Sequence, residues 1–319
     1  MEYRTLGRTG IQVSALGVGS WQLSGPLLLN GKNDGHPDVG EAMVHRLLHQ
    51  AQDNGINFVD TAELYGDGEG EKRIGRALQN RRGDWVICSK FGSRKGLEGQ
   101  RINDSSPQTI RSSLESSLRR LQTDYLDLFL FHVPPKQASL AEARDILDRL
   151  KGEGKIRAYG ISTNTTGTIR GFLQHRCVEV VQFQSSLFNE HCAVRKLCQE
   201  HQLGAVIRGA LASGRLSGRF FGRLPKFHSD DYRQGSFNPE DFLQSRPLQA
   251  LLPEGWTMTQ FAIRYLLDRT TSHTVLLGAR HLWQYQEAYE ALKLSSLREE
   301  HLKGVERWRK NHFRIIEPK

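Results

Sequence analysis

Short apolar β-like runs alternate with amphipathic helical stretches through almost the whole chain, and this alternation is the strongest constraint on its fold. Eight such runs are present, at residues 15–18, 56–59, 85–88, 125–131, 156–161, 178–183, 205–207 and 274–277. Between the first two, Met43, Val44, Leu47, Leu48 and Ala51 recur at helical spacing, and Gly55 supplies a stop. Further on, Ile74, Ala77 and Leu78 mark a helix over 71–79. Ser106-Pro107 reads as an N-cap followed by proline in the first turn, ahead of Ile110, Leu114, Leu118 and Leu121 on one face. Helical spacing returns at 140–150, near 192–201 and at 261–267. Strands alternating with helices imply parallel βαβ units. Eight units in about 300 residues predict a closed (β/α)8 TIM barrel. An open doubly wound sheet predicts an early G-x-G-x-x-G, but Gly17-Val18-Gly19 has no third glycine.

Two segments fall outside the alternation. Residues 3–13, with Gly7 and Gly10 around Arg8-Thr9, read as a β-hairpin that could plug the N-terminal end of the barrel. Residues 209–255, after strand 7, form a connection rich in Gly, Arg and Phe. Connections that long are usually functional, and this one belongs on the C-terminal face. All 319 residues are expected to form one domain.

Composition narrows the function classes. No apolar run approaches the roughly 20 residues needed to cross a bilayer, and the N-terminus lacks the basic-then-apolar pattern of a signal peptide. The four cysteines have no CxxC spacing, which predicts free thiols in a reducing, cytoplasmic setting and no metal site. The net charge of +9 is dispersed rather than gathered on one face, which argues against nucleic acid or membrane partners. The local clusters at Arg81-Arg82 and at Arg307, Arg309 and Lys310 read as solvated helix ends. Some of this charge would suit a pocket for an anionic cofactor.

Four polar residues lie at or just beyond strand-like runs: Asp60, Tyr65, Lys90 and His132. In a parallel barrel the C-terminal strand ends share one face, where such folds keep their chemistry. A phenol is a weak acid at neutral pH, and a nearby cation lowers its pKa. Lys90 could supply that cation, Asp60 could hold it, and His132 could donate a hydrogen bond to a substrate oxygen.

The run Phe58-Val59-Asp60-Thr61-Ala62-Glu63-Leu64-Tyr65-Gly66, then Ser89-Lys90, then His132, resembles the aldo-keto reductase superfamily. The likeness extends from residue 3 to about 287. It implies NADPH-dependent carbonyl reduction (NADH as the less favoured cofactor) on a small-molecule carbonyl substrate. Tyr65 would be the general acid in a tetrad with Asp60, Lys90 and His132. By the same resemblance, Ser162 and Asn164 of Gly160-Ile161-Ser162-Thr163-Asn164, with Gln182, would hold the nicotinamide carboxamide. Side chains of these types offer the donors and acceptors an amide needs.

Arg208 stands where many family members have an aromatic ring that stacks on nicotinamide, and its planar guanidinium can also stack. Leu211, Ser213 and Arg219 correspond to pyrophosphate-lining positions. The run from Gly278 through Arg280 and Gln284 to Glu287 resembles the family's adenosine-binding motif, with Arg280 toward a 2′-phosphate. Leu277 and Ala288 stand where that motif has proline and asparagine. Trp21 resembles an aromatic wall of the substrate pocket. Potassium-channel β subunits share the fold and tetrad pattern, so a binding module is a rival reading. A dehydrogenase running in the oxidative direction is another.

Overall fold

In the computed structural model, which describes residues 1–135, 139–269 and 271–312, eight parallel strands close into a barrel. They are β1 (Leu16–Gly19), β2 (Phe58–Asp60), β3 (Val86–Phe91), β4 (Leu126–Phe131), β5 (Ile156–Ser162), β6 (Val180–Gln184), β7 (Gly204–Arg208) and β8 (Thr274–Leu277). Each pairs with the next, and β8 pairs with β1, Val275 lying opposite Leu16. The two-residue alternation of a strand sorts their side chains. Leu128 and Leu130 of β4 point inward with Phe58, Val86, Cys88 and Val206, whereas Phe129 and Phe131 point outward under the helices. At the tightest strand contact, a Cβ on Gly160 would meet the Val180 carbonyl oxygen at 1.8 Å.

The amino-terminal hairpin is present, Tyr3–Thr5 pairing antiparallel with Gln12–Ser14. Its Leu6, Ile11 and Val13 are buried in the same cluster as the inward barrel residues. The N-terminal end of the barrel is therefore sealed with apolar side chains, as the sequence predicts.

Ten α-helices are present among the described residues. They are α1 (Glu41–Asp53), α2 (Glu69–Ala77), α3 (Pro107–Leu121), α4 (Leu140–Gly152), α5 (Thr166–Gln174), α6 (Cys192–Glu200), the short α7 (Arg233–Ser236), α8 (Met258–Leu267), α9 (Leu282–Lys293) and α10 (Glu299–His312). Ser106 caps α3 by accepting from the Thr109 N–H at 3.4 Å. A Thr257–Gln260 capping box starts α8 at Met258, three residues ahead of the predicted start at 261. The sequence reading did not include α5 or α9, and marked α10 only by its basic end at 307–310. The first carries Thr and Gly in its opening turn, and the other two lie beyond the last strand, where no following strand flags a helix.

Two basic clusters differ from the sequence expectation. Arg82 stacks on Tyr125 with its guanidinium 4.0 Å from the ring centroid and donates to Asp127 at 2.8 Å. Arg309 donates to Tyr265 Oη at 2.9 Å and pairs with Glu190 at 3.3 Å. Both clamp neighbouring elements and are not simply solvated. The four cysteines are free; Cys88, Cys177 and Cys198 are buried and Cys192 is exposed. No helix among the described residues is long and apolar enough to cross a membrane.

Three insertions meet above the C-terminal end of the barrel. A hairpin at Leu28–Leu29 and Lys32–Asn33 is tied to one at Arg94–Lys95 and Arg101–Ile102 by the Asn30 N–H, which donates to Gly99 O at 2.9 Å. On its other side the Tyr232 N–H of the long 209–255 connection donates to Gly35 O at 2.9 Å. That connection is not structureless. Phe220, Phe227, Phe237 and Phe242 pack together, three of their four ring pairs edge-on and one tilted, as a small aromatic core of their own.

Candidate active site

Asp60 closes β2, Lys90 lies one residue from the end of β3, and His132 immediately follows β4. The chain keeps pairing past β2, since the Thr61 and Glu63 N–H groups donate to Cys88 O and Lys90 O. This extension delivers Tyr65 beside Lys90. The turn after Tyr65 requires glycine: Gly66 has φ +60°, and a Cβ there would sit 2.1 Å from Ser24 O.

Lys90 is fully buried and Asp60 nearly so. The Lys90 ammonium donates to both Asp60 carboxylate oxygens at 2.7 Å, to Thr61 O at 2.8 Å and to Tyr65 Oη at 3.4 Å. The carboxylate holds the Lys90 pKa above its ordinary value despite burial, so the cation persists. Gln182 Nε2 donates to Asp60 Oδ1 at 2.6 Å. The His132 ring stands edge-on to Tyr65, centroids 5.6 Å apart.

The electrostatics differ in one respect from the sequence expectation. The Tyr65 phenol is held above its ordinary pKa, not below it. Burial is the largest cause; Lys90 pulls the value down, but Asp60 opposes that pull. Burial, reinforced by the charges of Lys90, Arg101 and Arg208, holds the His132 imidazole well below its usual range and therefore neutral. Its Nδ1 is buried without a hydrogen-bond partner. The four side chains thus present a protonated phenol and a neutral imidazole above a locked ion pair.

Trp21 belongs to the same mouth and not to the barrel core. Its ring lies 6.2 Å from Tyr65, 4.4 Å from Tyr232 and 5.0 Å from His36. Around the barrel rim, Ser162 Oγ donates to Gln182 Oε1 at 3.4 Å, and Asn164 Oδ1 accepts from the Gln184 N–H at 2.8 Å and from Arg208 Nη2 at 3.4 Å. The structure thus brings Ser162, Asn164, Gln182 and Arg208 together beside Asp60. Gln182 already uses both ends of its amide within the protein. Among the described residues Arg208 has no carboxylate within 4.0 Å, and burial holds its pKa below the usual arginine value.

A cavity of about 590 Å³ opens beside this rim. Leu211, Ser213, Gly278 and Gln284 line it, together with five cations, Arg219, Arg223, Lys226, Arg233 and Arg280. An adjoining recess is bounded by Trp283, Glu287 and Ala288. The tetrad does not line the main cavity, which extends from the rim toward α9. Arg219 lies over the Trp283 ring at 5.4 Å. Gly278 is a contact point, because a Cβ there would meet the Gln22 side-chain amide at 2.2 Å. The buried Gln22 Oε1 has no partner.

Sequence reasoning missed the carboxylate that organises this end. Asp231 is buried, accepts from Arg233 Nε and Nη2 at 2.8 and 2.6 Å, and faces His36 at 3.7 Å and Arg280 at 3.9 Å. These cations and hydrogen bonds hold its carboxyl well below the usual carboxylate range despite burial. No motif marks it, since its partners come from three separate segments. The cavity fits a polyanionic nucleotide: Arg219, Arg223 and Lys226 have no carboxylate within 4.0 Å among the described residues, and Arg280 has only Asp231, at 3.9 Å.

Comparison with known proteins accords with this geometry. The Aldo/keto reductase family profile matches residues 15–310. An uncharacterized oxidoreductase of Bacillus subtilis, YqkF, is 30% identical, covering 96% of both chains. An NADH-specific methylglyoxal reductase of Escherichia coli is 28% identical over 91% of this chain and 93% of its own. Among solved structures, the glycerol dehydrogenase of Gluconobacter oxydans superposes with a TM-score of 0.82 at 28% identity, covering 99% and 98% of the two chains. The holo form of an aldo-keto reductase from Bacillus halodurans gives 0.81, also at 28%, covering 97% and 96%. With its eight-stranded barrel and a profile match over most of its length, the chain belongs to the aldo/keto reductase family of oxidoreductases, which use nicotinamide cofactors.

Proposed function

We propose that this protein is an NADPH-dependent reductase of aldehydes or ketones, with all 319 residues in one catalytic domain. The observation that carries this reading is the half-buried Tyr65 phenol set between the Lys90–Asp60 pair and the His132 ring, with a pKa held above its ordinary value. When bound, the cofactor supplies hydride to the carbonyl carbon.

The residues divide the remaining work. His132, neutral and with an unpartnered ring nitrogen, donates to the carbonyl oxygen and orients it. Tyr65 gives its proton to that oxygen as negative charge builds there, and Lys90 stabilises the phenolate left behind. Asp60 keeps Lys90 charged and in place. Ser162, Asn164 and Gln182 hold the carboxamide, and Arg208 covers the nicotinamide face. Leu211, Ser213 and Arg219 flank the pyrophosphate, and Gly278, Arg280, Gln284 and Glu287 hold the adenosine end. Trp21 walls the substrate.

The five cations around the cavity favour NADPH, which carries an additional phosphate. The NADH specificity of the Escherichia coli relative supports the competing assignment, and KM values for the two cofactors decide between them. A probable potassium-channel β subunit of rice, 28% identical over 93% of both chains, favours a sensing role as the second reading. Turnover of NADPH with a test aldehyde such as 4-nitrobenzaldehyde separates the two. Tyr65→Phe removes only the hydroxyl. Its kcat should fall by roughly 10²–10⁴ with cofactor affinity unchanged, and near-normal turnover would refute the assigned role.

A further inference from the structure

Glu63 lies inside the Asp60–Tyr65 segment, yet the chemistry just described does not use it. Its carboxyl is turned away from solvent, with the residue 8% exposed. Glu63 Oε1 accepts the Gly92 N–H at 3.1 Å. The carbonyl of that same peptide unit, Phe91 O, accepts the His132 N–H at 2.8 Å. The Glu63 N–H in turn donates to Lys90 O at 3.2 Å. One side chain and one peptide plane therefore join the loop bearing Tyr65, the strand end bearing Lys90 and the first residue after β4, His132.

We propose that Glu63 is a positioning residue whose ionised carboxylate fixes the Phe91–Gly92 peptide and, through it, the spacing of Tyr65, Lys90 and His132. The inference rests on the carbonyl-reductase reading above. A charged acceptor holds an N–H more strongly than a neutral one, so the tie tightens when Glu63 loses its proton. Burial pushes this carboxyl up to about 7. The charged groups facing it are Glu71 of α2, which raises it further, and Arg120 of α3, which opposes that; the Ser113 hydroxyl of α3 and the Gly92 N–H also favour the anion. Glu71 is itself held by Ser89 Oγ at 2.5 Å and Arg120 Nε at 2.6 Å. The tie should therefore strengthen across neutral pH without Tyr65, Lys90 or His132 changing charge.

The test compares the wild type with Glu63→Gln, which keeps the acceptor but cannot ionise, and Glu63→Ala, which removes it. Wild-type kcat should rise as pH passes upward through about 7. Glu63→Gln should stay at the wild-type acid-side level across that range, and Glu63→Ala should lie lower still, by roughly 10- to 100-fold, as expected for a displaced catalytic group. Cofactor affinity should be the same in all three. A Glu63→Gln profile that rises like the wild type overturns the proposal, as does a Glu63→Ala variant with the kcat of Glu63→Gln. If Glu63→Ala does not fold, the Gln variant alone decides. Hydrogen-exchange protection of the Gly92 and His132 amides, corrected for intrinsic rates, should increase through the same range in the wild type only. That readout needs no turnover, so a protein that reduces no carbonyl would refute the reductase reading and still leave this tie testable.

Discussion

Replacing Lys90 by methionine tests the centre of the site most severely. The ammonium is fully buried and 2.7 Å from both Asp60 oxygens. At an effective dielectric of about 20, two unit charges at that distance attract by about 6 kcal/mol. Desolvation costs several kcal/mol for each ion, so the intact pair contributes little net stability. The single variant is different, because it leaves the Asp60 carboxylate buried without its cation, although the Gln182 amide still donates to it at 2.6 Å. Stranding one member of a buried pair costs about 3–5 kcal/mol, a large share of the 5–15 kcal/mol typical of a whole domain. The double variant Asp60→Asn/Lys90→Met removes both charges and should recover most of that loss, yet remain inactive because Tyr65 has no cation beside it. Guanidinium unfolding followed by circular dichroism gives the stabilities, and NADPH oxidation gives the activities. The reasoning fails if Lys90→Met loses less than about 1 kcal/mol, or if the double variant is no more stable than the single one. The Lys90 side of the pair is insensitive to neutral pH. The Lys90 pKa is raised, so its contribution is complete below the unfolded value of about 10.5 and disappears only as pH climbs beyond it.

Two further substitutions probe opposite ends of the barrel. Arg280→Ala should raise KM for NADPH by roughly 10- to 100-fold, the equivalent of losing a charge-assisted contact of about 1.5–3 kcal/mol, while KM for NADH stays put. An unchanged cofactor preference would remove Arg280 from the 2′-phosphate site. Leu6→Ala should open a cavity in the sealed N-terminal end, where Leu6 is fully buried, and cost about 2–5 kcal/mol. KM and kcat should not change, because Leu6 lies at the end away from Tyr65; a change in either would show that the plug communicates with the site.

The barrel was legible because its signals are local. Each strand announces itself by a short apolar run, and its two faces separate by simple alternation, as Leu128 and Leu130 do from Phe129 and Phe131. The tetrad was legible for a related reason: parallel strands bring their ends together, so Asp60, Lys90 and His132 converge however far apart they lie in sequence. The cofactor end was only partly legible. Arg280 and Gln284 sit in a recognisable run, but Asp231 owes its position to His36, Arg233 and Arg280, which come from three separate segments. Hairpins and long connections are placed by contacts such as Asn30 to Gly99, which have no periodicity to read.

The one electrostatic expectation that the structure reversed sharpens the proposed chemistry. A cation near a phenol lowers its pKa when the cation is free. Here Lys90 is neutralised by Asp60 at contact distance, and burial disfavours the phenolate. The resting Tyr65 is therefore held as the acid, the form a reductase needs before hydride arrives. As charge appears on the carbonyl oxygen, the ammonium at 3.4 Å is already in place for the phenolate that forms. The Lys90–Asp60 pair then acts less by making Tyr65 a stronger acid at rest than by being preorganised for its conjugate base. Activity lost in Lys90→Met should accordingly not return merely by lowering the pH, since protonating Tyr65 more completely adds nothing to a phenol that is already neutral.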